Sequence, residues 1–313
     1  MSFTVKRLCE VDVKQALITN IQRFSLNDGP GIRTTVFFQG CNMHCTWCHN
    51  PETISMKPVL MHYQNKCIGC GRCFSLSDPP EANRIENGAH VIDRKKLKNP
   101  EVLADYCQAS ALVMSSRPYT VEEVMAEVVQ DKIYYDLSGG GVTVSGGESA
   151  LHASFISELA DCCHDKGIKI ACETNMSLPW QKMVGMLKKM DLIMCDIKHV
   201  DSPTHKKYTG MDNQIIFNNV GRASLLGIPM IVRTPLIPGA TNDINNLKQI
   251  AEFVAKLQNI ECYELLNYNP LGSSKRVAMA ADDPFEDARP YSRKDLDQIR
   301  KELEGSGVRI KIS

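Results

Sequence analysis

From residue 119 onward, short apolar runs alternate with longer segments in which apolar residues recur every three or four positions. The short runs predict strands at 142–145, 168–172, 192–197, 230–234 and 263–267, with a further strand at 34–39 in front of the series. The longer segments read as amphipathic helices at 152–166, 180–189, 218–226, 242–257 and 292–304. A strand followed by a helix, repeated about six times, predicts an α/β fold with a parallel sheet, an open or partial (β/α) barrel. Residues 58–118 break the rhythm. They hold Pro58, Pro79, Pro80, Pro100 and Pro118 and few long apolar runs. The expected organisation is a first barrel strand with its loop (1–57), an inserted small domain (58–118) and the rest of the barrel (119–313). Functional loops of parallel barrels leave the C-terminal ends of strands, and Cys41 follows the first strand directly.

The 313 residues are enough for a sizeable core. Lys plus Arg and Asp plus Glu both number 36, so the formal charge is zero and a global grip on nucleic acid or an anionic membrane is not expected. No apolar run reaches the length of a membrane span, and the opening MSFTVKRLCE lacks the apolar core of a secretory signal. A cytoplasmic chain is expected.

The 13 cysteines change the picture. They are too sparse for a disulfide scaffold, and a reducing compartment would keep them as thiols. Cys9, Cys162, Cys163, Cys172, Cys195 and Cys262 are scattered and read as small core residues. Cys41, Cys45 and Cys48 form a C-x3-C-x2-C run. Three thiolates at that spacing can wrap one iron–sulfur cube and leave its fourth iron free for a small chelating molecule. The alternative, zinc with His44 or His49 as fourth ligand, fits the spacing poorly.

Phe24-Ser25, Asp28-Gly29-Pro30-Gly31-Ile32-Arg33-Thr34, the three cysteines and then His49-Asn50-Pro51-Glu52 together resemble the glycyl radical enzyme activating enzymes. These belong to the radical S-adenosylmethionine (SAM) superfamily, and the resemblance spans nearly the whole chain. It implies a partial (β/α)6 radical SAM barrel that cleaves SAM reductively, under anaerobic conditions, to methionine and a 5′-deoxyadenosyl radical. That radical takes a hydrogen from a backbone glycine of a partner glycyl radical enzyme. Flavodoxin or ferredoxin is the implied electron donor. Asp28 and Arg33 are expected to line the opening through which a partner loop enters.

Cys67, Cys70 and Cys73 begin a bacterial ferredoxin pattern whose fourth position falls on Ser77. Reading backwards from Cys107 at the same spacing lands on Leu103, Pro100 and Leu97. In two-cluster ferredoxins each cube draws three cysteines from one run and one from the other. Cys67, Cys70, Cys73 and Cys107 are therefore one full ligand set, and the four losses together delete the other cube. Relatives with this insertion commonly carry two auxiliary clusters. This chain is expected to carry one, in a ferredoxin-like inserted domain, and two [4Fe-4S] clusters in all. Zinc on the same four cysteines is the alternative.

The resemblance also assigns the SAM pocket. Ser145, Gly146, Gly147 and Glu148 match the GGE motif that holds the amino end of SAM, with Ser149 where proline is usual. Lys198 matches a D-x-K motif and is expected to pair with SAM's carboxylate. Arg233 matches a basic residue of the following strand, and Asn269 stands where many relatives have histidine. Glu173, Thr174, Met194 and Asp196 match a monovalent-cation site, with glutamate replacing the usual aspartate. Trp47, between two ligand cysteines, is expected to shield the cluster. A radical SAM enzyme acting directly on a small molecule is the competing function, and a plain electron carrier a more distant one. The segments 24–34 and 48–52 argue against the former, and an open cube beside a GGE strand against the latter.

Overall fold

The computed structural model describes residues 14–313, so Cys9 lies outside the described residues. The chain opens with β1 (Gln15–Ser25), which runs antiparallel to β2 (Arg33–Phe38). Four short strands follow outside the main sheet. β3 (Leu60–His62) pairs with β6 (Leu112–Met114), and β4 (Asn83–Glu86) forms a hairpin with β5 (Ala89–Ile92). With α1 (Arg72–Leu76) and α2 (Pro100–Asp105) they enclose a small apolar cluster of their own: Leu60, Ala82, Ile92, Leu97, Leu103 and Leu112. The chain rejoins the main sheet at β7 (Arg117–Thr120), which is antiparallel to β1.

The remaining strands are β8 (Gly141–Gly146), β9 (Ile170–Thr174), β10 (Leu192–Asp196), β11 (Met230–Leu236), β12 (Ile260–Asn267) and β13 (Ile310–Ile312). They continue from β2 in parallel, giving a 9-stranded sheet in the order β13-β12-β11-β10-β9-β8-β2-β1-β7. Helices α3 (Val121–Val128) and α4 (Lys132–Ser138) precede β8, and α5 (Ala153–Asp165) and α6 (Trp180–Leu187) follow β8 and β9. After β10 come α7 (Ser202–Thr209) and α8 (Gln214–Ala223). Then α9 (Ile244–Val254), α10 (Gly272–Met279) and α11 (Arg293–Glu302) complete the set.

The helices form where the pattern demands. On α5, Phe155, Ile156, Leu159, Ala160 and Cys163 make one buried stripe against the sheet. Thr120 opens α3 with a capping box, its hydroxyl accepting the Glu123 N–H and the Glu123 carboxylate accepting the Thr120 N–H. The parallel strands are apolar on both faces because helices cover one side and the barrel interior the other. The α/β fold with a partial parallel barrel agrees with the sequence expectation. The added strands β1, β7 and β13 were not expected, and β9 begins at Ile170, two residues late. Ile168 is buried, but its N–H closes the end of α5 on the Cys163 carbonyl at 2.9 Å.

Candidate active site

The three-cysteine loop leaves the carboxyl end of β2 and is held from three directions. Toward the sheet, Gly40 donates its N–H to the Thr53 carbonyl at 2.8 Å, and its own carbonyl accepts the Glu148 N–H at 2.8 Å. Toward α7, the His44 and Thr46 N–H groups donate to the Thr209 and Tyr208 carbonyls at 2.9 and 3.0 Å. Toward α10, Arg276 donates to the Thr46 carbonyl at 2.8 Å, and Lys275 reaches Asn50 at 2.7 Å and Glu52 at 2.6 Å. A Cβ on Gly272 would stand 3.1 Å from the Cys48 carbonyl oxygen, so the β12–α10 turn lies directly against the cluster loop. None of these anchors was legible in the cysteine spacing.

The thiols are set as a ligand group. The Cys41 sulfur accepts the Met43 N–H at 3.4 Å and the Asn175 side-chain amide at 3.9 Å. Asn175 is tied in turn to the Asn42 carbonyl oxygen at 3.1 Å. Burial pushes the Cys41 thiol up to about 11 and the Cys48 thiol up to about 12, and it raises Cys45 as well. Such groups stay protonated near neutrality until a metal displaces the proton. The donated N–H groups and the missing fourth cysteine match the donor chemistry of an iron–sulfur cube.

The GGE segment meets this loop at its root. A Cβ on Gly147 would lie 2.0 Å from the Gly40 carbonyl oxygen, so only glycine fits there. Glu148 is fully buried. Its carboxylate accepts from the Ala150 N–H at 3.0 Å, the Asn175 N–H at 2.7 Å and the Thr174 hydroxyl at 2.6 Å. Every acceptor direction of Glu148 faces the protein, so it positions the β8 and β9 loop ends.

Next along the sheet, Ser145 donates to Glu173 at 2.5 Å, and Glu173 is ion-paired with Arg233. Arg233 also binds Glu264 at 2.7 Å. Burial works against the Arg233 charge, but Glu173 and Glu264 outweigh it and its pKa is raised. At the end of β10, Lys198 pairs with Asp196 at 2.7 Å. Burial opposes that ammonium too, yet Asp196 and then Cys45 raise its pKa, which puts its charge beside the cysteine loop.

The two acids expected to cage a monovalent cation with Thr174 and Met194 do not stand alone: Glu173 pairs with Arg233 and Asp196 with Lys198. The Thr174 hydroxyl is spent on Glu148, and Met194 is buried beside Gly29. Nor does Arg33 line an opening. It is 2% exposed and clamps the Asp28-Gly29-Pro30-Gly31 turn, donating to the Thr143 hydroxyl at 2.6 Å and the Pro30 carbonyl at 3.1 Å. Asp28 accepts the Ser25 and Thr35 hydroxyls at 2.6 and 2.7 Å. Trp47 joins an aromatic group with Tyr208 and Phe285 behind the cysteines. Asn269 is exposed at the end of β12, where its carbonyl oxygen accepts the Leu271 N–H at 3.0 Å.

In the 58–118 segment Cys67 and Cys70 are exposed, and Cys73 and Cys107 half-buried. Cys107 accepts the Leu112 N–H at 3.4 Å. Leu97 and Leu103, where a second cube's ligands would stand, are part of the apolar cluster, and Ser77 donates to the Cys73 carbonyl at 2.9 Å. Cys163, Cys172, Cys195 and Cys262 are buried, as expected of core residues, while Cys162 is half-buried. Among the described residues no helix is long and apolar enough to cross a membrane.

Comparison with known proteins adds three findings. The Radical SAM superfamily profile matches residues 105–254. The chain is 34% identical to the (2S)-3-sulfopropanediol dehydratase activating enzyme of Klebsiella oxytoca over 92% of this chain and 90% of that protein. It is 35% identical to the trans-4-hydroxy-L-proline dehydratase activating enzyme of Clostridioides difficile over 95% of this chain and 98% of that one. The indoleacetate decarboxylase activating enzyme of Tractidigestivibacter scatoligenes is 34% identical over 96% and 98%. Among solved structures, a radical SAM methyltransferase from Sphaerobacter thermophilus shares the fold with a TM-score of 0.51, covering 95% of this chain and 76% of that one at 11% identity.

Proposed function

Because the chain belongs to the glycyl radical enzyme activating enzymes of the radical SAM superfamily, we propose that Cys41, Cys45 and Cys48 ligate the [4Fe-4S] cluster at which SAM binds. The enzyme is a SAM-dependent oxidoreductase whose substrate is a glycyl radical enzyme, which favours that reading over a small-molecule substrate. When bound and reduced, the cluster supplies the electron that splits SAM into methionine and a 5′-deoxyadenosyl radical, and this radical takes a hydrogen atom from the partner's glycine.

The chain's own residues do the positioning. Lys198 presents a buried ammonium beside the cysteine loop for SAM's carboxylate. Ser145, Gly146 and Gly147 offer backbone groups to its amino end at the root of that loop, held there by Glu148. Arg233 keeps Glu173 neutralised inside the barrel, and Trp47 covers the outer side of the cysteines. Asn269 sits on the β12–α10 turn that packs against Cys48, within the rim around the cluster.

Cys67, Cys70, Cys73 and Cys107 hold a second [4Fe-4S] cluster in an inserted domain of residues 58–118. Its support is the complete donor set, the N–H bond to Cys107 and the apolar packing of Leu97 and Leu103 in place of another cube. Flavodoxin or ferredoxin delivers the electron, and the free thiols suit the cytoplasm.

The observation that carries this reading is the three-thiol loop seated against the GGE strand end and a buried lysine. Its test is 5′-deoxyadenosine formation by the anaerobically reconstituted, reduced protein, with and without a glycyl radical enzyme encoded nearby. Turnover together with a glycine-centred doublet in electron paramagnetic resonance (EPR) supports it. Absence of SAM cleavage by protein with filled clusters overturns it.

A further inference from the structure

Three polar nitrogens with no use in SAM cleavage converge on the cysteines of the insertion. His62, on β3, is 6% exposed, and its Nε2 has no partner among the described residues. Asn83, on β4, is 4% exposed, and its Nδ2 is likewise unpartnered. His90, on β5, bonds to the Asn83 carbonyl oxygen and brings its Nε2 to 3.9 Å from the Cys73 sulfur. Ligating atoms of His62, His90 and Cys67 all lie within 4.8 Å of one another. The rings are fixed, with the His90 centroid 4.5 Å from that of His62 and 4.9 Å from that of Phe74. His62 also stands opposite Leu112 in the β3–β6 ladder, and the Leu112 N–H is the group that donates to Cys107.

A buried polar nitrogen without a partner is destabilising, so two at one place call for a partner outside the protein's own groups. The thiolates and sulfides of an iron–sulfur cube are such partners, and hydrogen bonds to them are a main determinant of its reduction potential. We propose that His62 and Asn83, the latter oriented by His90, form a hydrogen-bonding collar around the auxiliary cluster that raises its reduction potential. This rests on the auxiliary cluster proposed above. In its Nε2–H form the His62 ring has one hydrogen to give, and a ring nitrogen of His62 lies within 4.8 Å of the Cys67 sulfur. The Asn83 amide, its oxygen held by the His90 ring that also stands 3.9 Å from Cys73, has its Nδ2 hydrogens left to give. The collar is built from β3, β4 and β5 and not from the cysteine run, so ligand spacing alone does not reveal it.

The experiment is an EPR-monitored redox titration of the reconstituted full chain, in wild type and in a Cys41→Ala, Cys45→Ala, Cys48→Ala background where the auxiliary cluster is the only paramagnetic centre. Iron and zinc are counted on every sample. His62→Phe and Asn83→Leu are each expected to lower the midpoint potential with iron unchanged, and the double variant to lower it further. His62→Gln, which keeps an N–H at that place, is expected to stay near wild type. Unchanged potentials at full iron content overturn the collar. Loss of the auxiliary iron in both His62 variants also overturns it, by making the histidine a ligand. Zinc in place of half the iron in wild type sinks the auxiliary cluster itself, an outcome separate from the other two.

Discussion

Lys198 and Asp196 form an ion pair of 2.7 Å at the carboxyl end of β10, with the lysine side chain 8% exposed. The ammonium is thus held in one place before SAM arrives, and it lies close enough to Cys45 and Cys41 for their thiols to raise its pKa. Lys198→Met keeps the length of the side chain and removes the charge. It should weaken SAM binding about tenfold to a hundredfold, since a hydrogen bond to a charged group contributes ~1.5–3 kcal/mol. Anaerobic equilibrium binding of SAM to the reconstituted enzyme measures this. Iron content should be unaltered.

Glu148→Gln tests the assignment of that residue as a positioning group. The carboxylate accepts three hydrogen bonds and donates none. An amide must turn an NH2 toward the Ala150 or the Asn175 N–H, setting donor against donor in a fully buried site. We expect a loss of about 1–3 kcal/mol in the urea midpoint. A rise in KM for SAM should accompany it, because the β8 and β9 loop ends lose their shared anchor.

Arg276 hydrogen-bonds the cysteine loop at the Thr46 carbonyl. Arg276→Ala should therefore leave the barrel folded and loosen the loop, and Lys275→Ala should do the same through Asn50 and Glu52. Iron assays after gel filtration are expected to show preferential loss of the SAM-binding cluster, with the auxiliary iron retained. Equal loss from both sites would contradict the anchoring role.

Cys107→Ala removes one ligand of the proposed auxiliary cube. Total iron should fall from about eight to about four per chain. SAM should still bind at the first cluster, because no residue proposed to hold SAM belongs to the 58–118 segment. Leu103→Ala reaches the same lobe by a different route. It opens a cavity in a cluster of six buried residues, at a cost of about 2–5 kcal/mol, and should speed loss of the auxiliary iron alone.

Six of the seven parallel strands were legible because each is a short apolar run between amphipathic helices. β1 was missed because it is second from the sheet's edge and its outward residues are only half-covered, so Gln15–Ser25 does not read as one apolar run. Helix α8 begins at Gln214, four residues before its expected start, because its buried stripe starts at Ile216. In the site, the cysteine, GGE and D-x-K positions were readable from spacing and resemblance. Their supports were not: Asn175, Tyr208 and Arg276 lie far along the chain from the atoms they touch, and only the topology brings them there. Spacing likewise showed two acids at adjacent strand ends, but not that Arg233 and Lys198 would pair with them.

The clamp on the cysteine loop has a consequence for how the enzyme is made. Arg276 and Thr46 are 230 residues apart in sequence. A ribosome therefore releases the three ligand cysteines long before it synthesises the side chain that steadies them. The nascent chain offers iron only a loose thiol triplet. Cluster delivery in the cell accordingly has to act on a nearly finished polypeptide, and truncations that stop short of α10 should accumulate as metal-poor protein.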